Sequence, residues 1–124
     1  MLQRDPSLDA LLELHGQSYA LTEDLAYWVD FRVVRVPLSQ ARPHGLDYAL
    51  NLHGPDSGKP RDSRLIGFDN AHAVASSGPA KRAAWDHKHR LRTVQPYEYS
   101  DAGRLVEDFW TAVAQMLRER GINL

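Results

Sequence analysis

His87 and His89 stand two residues apart in Asp86-His87-Lys88-His89-Arg90, five consecutive side chains that can each hold a charge or exchange a proton. Imidazole is the side chain whose ordinary pKa lies nearest neutrality, so it serves as acid, base or metal ligand. On an extended backbone alternate side chains share a face, so both rings would point together and Asp86, Lys88 and Arg90 the other way. One chemistry open to such a pair is metal-independent RNA cleavage. One histidine takes the proton of a ribose 2′-hydroxyl, the oxygen attacks the adjacent phosphorus, and the other histidine protonates the leaving 5′-oxygen. Arg90, Lys88 or Arg64 would neutralise the charge gathering on the phosphoryl oxygens, and Arg42, in a loop with His44, offers a further phosphate contact. Asp86 or Asp69 would orient an imidazole. This reading requires no cofactor and no metal.

The same residue types support a second chemistry. His87 and His89 with Asp69 or His72 offer the nitrogen and oxygen ligands of a divalent metal centre. A plainer alternative is that the rings are half-buried aromatics sharing a face with Trp85 and Leu91. The flanking Lys81, Arg82, Lys88, Arg90 and Arg92 favour an anionic ligand, though they also fit a solvated basic loop. Phe68-Asp69-Asn70-Ala71-His72 closes a β-like run, and strand ends at a sheet rim are where site residues are held in direction and exposed by the following loop. The catalytic candidates are therefore His87, His89, Asp86, Asp69 and His72. They converge only if the two segments are spatial neighbours.

The elements that must position them follow from periodicity. Leu8, Leu11, Leu12 and Leu14 predict a short N-terminal helix of about ten residues, capped by Asp5 and ended by Gly16. Tyr19-Ala20-Leu21 reads as a short strand. Residues 26–36, rich in β-branched and aromatic side chains, predict a longer one. Leu46, Tyr48, Leu50 and Leu52 alternate with Asp47, Ala49, Asn51 and His53, the clearest half-buried strand in the chain. Residues 64–70 predict another, with Ile66 and Phe68 toward the core and Leu65, Gly67 and Asp69 opposite. Residues 84–91 fit strand or loop, and Pro96-Tyr97-Glu98-Tyr99 a short extended piece. Ala102, Leu105, Val106, Phe109, Val113, Met116 and Leu117 follow helical spacing and predict a long helix over 101–120. His15 and His53, at element ends, are expected to cap or to sit in solvent. The predicted fold is a two-layer α+β domain: an antiparallel sheet of about four strands, covered by the short N-terminal and the long C-terminal helix.

Length and composition bound the rest. The 124 residues, 43% hydrophobic and 25% charged, predict one globular domain over 1–124 rather than a disordered chain. The absence of cysteine excludes a disulfide scaffold, a thiolate zinc site and a cysteine nucleophile. It fits a cytoplasmic protein, as does an N-terminus without the apolar core of a signal peptide. No segment approaches the ~20 apolar residues of a membrane span. Phosphate-cradling glycine loops, dinucleotide fingerprints and serine-hydrolase elbows are lacking. The net charge of −1 hides an uneven distribution. Residues 1–30 hold one basic and six acidic side chains, 31–95 eleven and five, and 96–124 three and five. The middle section is thus the candidate face for an anionic partner.

The order and spacing of several pieces resemble a known family. Tyr27-Trp28-Val29, Tyr48-Ala49-Leu50, Phe68-Asp69-Asn70, Asp86-His87-Lys88-His89, Pro96-Tyr97-Glu98-Tyr99 and Leu105-Val106-Glu107-Asp108-Phe109 together are similar to the TumE-type toxins. These are partners of a helix-turn-helix antitoxin in type II toxin–antitoxin operons. The resemblance implies a toxin role and an antitoxin partner. RNA as target follows by analogy with other type II toxins, joined to the histidine chemistry. A non-catalytic nucleic-acid-binding or antitoxin-binding module is the alternative from a different class. A homodimer is compatible with the sequence but not specified by it.

Overall fold

The fold was established from a computed structural model that describes residues 7–39, 44–58, 62–70, 74–75, 83–84, 86–91 and 93–122. Its core element is a six-stranded antiparallel sheet rather than the four strands expected. The strands are β1 (Ser18–Ala20), β2 (Trp28–Arg35), β3 (Leu46–His53), β4 (Arg64–Asp69), β7 (His87–Arg90) and β8 (Thr93–Pro96), adjacent in that order. The connection from β4 to β7 carries a separate two-stranded ladder, β5 (Val74–Ala75) with β6 (Ala83–Ala84). The difference lies in the short strands: β7 forms where residues 84–91 fit strand or loop, β8 ends at Pro96, where the extended piece was expected to begin, and β1 lies at Ser18–Ala20 instead of residues 19–21.

Two helices cover one face. The first, α1 (Leu8–Glu13), is shorter than the sequence suggested. Asp5 lies outside the described residues, and Ser7 occupies the N-cap position. The Ser7 hydroxyl instead accepts a hydrogen bond from the Gly103 amide at 2.7 Å, tying the start of α1 to the start of the second helix. That helix, α2 (Ala102–Glu119), is capped by Asp101, whose carboxylate accepts from the Arg104 amide at 2.8 Å. The C-terminal end of α2 is held by Arg120, which donates to the carbonyls of Pro55 and Asp56.

Strand alternation sorts the side chains as the sequence predicts. Val29, Phe31 and Val33 of β2, Leu46, Tyr48, Leu50 and Leu52 of β3, and Ile66 and Phe68 of β4 are buried with Leu105, Phe109, Val113, Met116 and Leu117 of α2. Phe109 meets the rings of Phe31 and Phe68 edge-on, at 5.6 and 6.1 Å. Leu65 departs from the expectation. The β3–β4 register slips at Leu52/His53, so that Leu52 pairs with Ile66 but His53 pairs with Arg64. Leu65 is the supernumerary residue of this β-bulge and joins the core with no exposure. A bulge reverses the alternation beyond it. Arg64 is therefore delivered to the face opposite the helices, the face that carries Asp69.

Candidate functional site

The helix-free face of the sheet is lined by polar side chains in cross-strand rows. Asp69 of β4 stands opposite His87 of β7, and Gly67 stands opposite His89. The two segments singled out in the sequence are thus adjacent strands. His87 Nε2 lies 2.6 Å from Asp69 Oδ1, and His89 Nε2 lies 3.1 Å from Asp69 Oδ2. The approach is close without being straight: neither Nε2 meets the carboxylate at a hydrogen-bonding angle. The two rings stand 4.7 Å apart at 72°. All three residues are buried, His87 completely and His89 to 8% exposure. Among the described residues this is the one group of three or more histidine and acidic side chains whose ligand atoms converge, all lying within 4.8 Å of one another.

Arg64 completes the centre. Its guanidinium Nη1 lies 3.4 Å from Asp69 Oδ2. To get there the side chain crosses Gly67, where a Cβ would stand 2.9 Å from Arg64 Cδ and 2.9 Å from Asn51 Oδ1. Glycine at this position is a requirement of close approach, not of backbone conformation. Asn70, immediately after β4, extends the frame. Its side chain accepts from the Tyr48 amide at 3.0 Å and donates to the Leu46 carbonyl at 2.8 Å. It thereby satisfies β3 backbone groups past the end of β4 and fixes the point where the chain leaves Asp69.

The remaining sequence candidates are placed elsewhere. Lys88 pairs with Phe68 and Arg90 with Ile66, so both leave β7 on the helix side. There they line a cleft of about 360 Å³ with Ile66, Phe68, Tyr97 and Asp108. Arg90 is ion-paired with Glu119 of α2. Asp86 accepts a hydrogen bond from the Tyr48 hydroxyl at 2.7 Å. Burial and the neighbouring Asp86 charge push the Tyr48 hydroxyl above its ordinary pKa, and burial with the hydrogen bond to Asp108 does the same to Tyr97. Both phenols are therefore held as protonated donors. His72 and Arg42, with Lys59, Arg61, Lys81, Arg82, Trp85 and Arg92 of the basic section, lie outside the described residues. Of the basic residues that are described, Arg32 pairs with Asp47, Arg64 with Asp69 and Arg90 with Glu119.

A second polar group on the same face was not expected. His53 Nε2 lies 3.0 Å from Asp30 Oδ2, its Nδ1 lies 2.9 Å from Ser63 Oγ, and Trp28 stacks on its ring at 4.0 Å and 13°. Asn51 donates to Asp30 Oδ1 at 3.0 Å. Burial pushes the Asp30 carboxyl up, but the hydrogen bonds from His53 and Asn51 outweigh it and hold the group below its ordinary pKa. Here His53 is a network member instead of a solvated cap. His15 likewise accepts the Val33 amide at 3.0 Å through Nδ1. The available signal for this group was parity: Asp30, Asn51 and His53 all occupy strand positions out of phase with the core.

The converging carboxylate and imidazoles, the bulge that turns Arg64 toward them and the terminal helix that backs the sheet all fall inside one sequence family. The family model described as Toxin TumE matches residues 11–117. No curated protein and no solved structure matches the chain. With the match running from α1 through nearly all of α2, the chain belongs to the TumE toxin family and is the toxin of a toxin–antitoxin system, whose counterpart is a cognate antitoxin.

Proposed function

We propose that this toxin acts by cleaving RNA, with Asp69, His87 and His89 as its catalytic centre and no metal in the chemical step. The observation that carries this reading is the sharing of one carboxylate by two imidazoles. Asp69 faces Nε2 of both rings, and the proton exchange with a substrate is assigned to the two rings that it orients. This repeats the logic of a carboxylate-oriented histidine, which stabilises the imidazolium that forms on proton transfer. One ring begins neutral and takes the 2′-hydroxyl proton. The 2′-oxygen bonds to phosphorus, the bond to the 5′-oxygen breaks, and the other ring, protonated at the start, supplies that oxygen with its proton. The products are a 2′,3′-cyclic phosphate and a 5′-hydroxyl. Among the described residues Arg64 is the cation that pairs with Asp69, and it fits the role of neutralising the phosphoryl oxygens. Lys88 and Arg90 face the helix side and are assigned no part in the step. His72, two residues beyond Asn70, remains a candidate for the same centre by its place in the sequence.

The test is cleavage of a defined single-stranded RNA by purified protein in chelator, with analysis of the product ends. Histidine general acid–base catalysis is worth roughly 10²–10⁴-fold, so His87→Gln and His89→Gln should each lower the rate by about that factor while keeping the wild-type circular dichroism spectrum. Full cleavage, or full growth arrest in cells, by a folded variant lacking both imidazoles would sink the assignment. The non-catalytic alternative predicts salt-dependent RNA binding with no new ends.

A further inference from the structure

Two imidazole nitrogens and two carboxylate oxygens meet in a buried space, where such a concentration of electron density has to be met by protons or cations. Arg64 Nη1, 3.4 Å from Asp69 Oδ2, meets one side of the carboxylate, and ring protons supply the rest in the catalytic reading. His89 Nε2 is buried and lies 3.1 Å from Asp69 Oδ2, yet the contact is not aligned as an N–H···O hydrogen bond. A central cation needs no such alignment, because each ligand atom then directs its lone pair at the ion instead of at a neighbour. From these observations we infer that Asp69, His87 and His89 also form a site for one divalent transition-metal ion of the zinc type.

The ligand set fits that class. Two neutral imidazoles and one carboxylate suit zinc, cobalt or nickel, whereas magnesium and calcium favour oxygen donors. Bonds of about 2.0–2.2 Å in a tetrahedral zinc site place ligand atoms about 3.3 Å apart. The present ligand atoms lie within 4.8 Å of one another, with separations of 2.6 and 3.1 Å to the carboxylate. Small ring and carboxylate rotations connect the two arrangements. Because β4 and β7 are paired in register across Asp69 and His87, the ligands are held by backbone hydrogen bonds and not by a loop. Three protein ligands leave a fourth position for water.

The consequence for the toxin rests on the proposed RNA cleavage. A metal on Nε2 fixes the proton of that ring on Nδ1, so Nδ1 becomes a donor only. The imidazole can then neither accept the 2′-hydroxyl proton nor cycle through the imidazolium form. Metal binding and acid–base catalysis are mutually exclusive at these atoms, and zinc should inhibit the toxin.

The experiment uses full-length, tag-free protein stripped with chelator and then dialysed. Titration calorimetry with zinc chloride should give one ion per chain, and cobalt chloride should give the visible ligand-field bands of a tetrahedral or five-coordinate ion. Asp69→Asn and His89→Gln, checked for folding by circular dichroism, should each weaken zinc binding by at least tenfold, while magnesium chloride gives no heat. No stoichiometric binding to the folded protein, or binding indifferent to both substitutions, overturns the site. Cleavage assays separate the two proposals. Loss of cleavage with zinc, restored by chelator, supports both, and cleavage that rises with zinc overturns the inhibitory role. Zinc binding to a protein that cuts no RNA in any condition supports the metal site and removes the ribonuclease reading.

Discussion

At the level of single residues the proposed catalytic centre depends on a side chain that is absent. Gly67 leaves the space through which Arg64 reaches Asp69. In Gly67→Ala the new methyl group meets Arg64 Cδ and Asn51 Oδ1, each at 2.9 Å. The arginine is the more easily displaced of the two. Overpacking of this kind costs about 1–3 kcal/mol, so the variant should fold with a lowered melting temperature. Growth arrest should weaken more than that loss of folded protein accounts for, because the cation moves off the centre. Asp30 gives a prediction in pH. Its carboxyl is held below its ordinary value by His53 and Asn51, so it binds protons more readily unfolded than folded. The stability it contributes is present above the ordinary carboxylate pKa, about 4, and is lost as pH falls through the lower folded value. Asp30→Asn should therefore be less stable than wild type in urea at pH 7, and the gap should close below about pH 4. A gap that widens with acid would contradict the network. Strand parity placed His87 and His89 on one face from the sequence, whereas their meeting with Asp69 rests on the β4–β7 register, which no single strand encodes. The Asp30–His53–Ser63 group was hidden for the same reason: parity sorts its strand members, but cross-strand register and a loop bring them together.

At the level of elements, β7 presents two chemistries on two faces. His87 and His89 point to the polar face, and Lys88 and Arg90 line the cleft beside α2. Lys88→Ala should thus leave the rate of RNA cleavage at saturating substrate unchanged, with any effect confined to KM and to its salt dependence. Arg90→Ala removes an exposed pair with Glu119, and such pairs contribute about 0–1 kcal/mol, so its stability should change little. A large fall in kcat for Lys88→Ala would mean that the chemistry uses the helix side. The alternation of β2, β3 and β4 and the 3.6-residue spacing of α2 were readable because each runs long enough to show its period. The count of four strands was too low because residues 84–91, which hold β7, fit strand or loop equally, and because β8 has four residues, all exposed, and gives no apolar alternation. The β7–β8 turn hides its own signal. The sequence between Arg90 and Thr93 holds no glycine or asparagine, and Leu91 takes a φ of 54° of the kind a two-residue hairpin demands. The bulge at Leu65 was equally silent, since nothing in the run 64–69 marks an extra residue.

At the level of the whole molecule the polar face and the buried core compete for the same sheet. The helices spend their apolar sides on one face, so the other can hold a buried carboxylate and two imidazoles only because the core beneath is tight. Leu11 of α1 is fully buried with the α2 and sheet side chains, and Ser7 binds the Gly103 amide. Hence the first helix, though only six residues long, is part of the single core. If residues 1–124 fold as one unit, the far-ultraviolet signal of the helices and the near-ultraviolet signal of the tryptophans should melt together. Leu11→Ala removes a fully buried side chain, a change that costs about 2–5 kcal/mol. It should lower both transitions equally, and with them the thermal stability of the histidine centre on the opposite side of the sheet. Occupancy of that centre should act in the reverse direction. An ion bound only by the folded chain adds stability in proportion to the logarithm of its concentration above Kd, about 2.7 kcal/mol at one hundred times Kd. Zinc should therefore offset much of the Leu11→Ala loss, and should raise the stability of wild type but not of Asp69→Asn. Separate melting of α1 would show that helix layer and sheet are not one cooperative structure, and an equal zinc effect in Asp69→Asn would show that the stabilisation does not come from this centre.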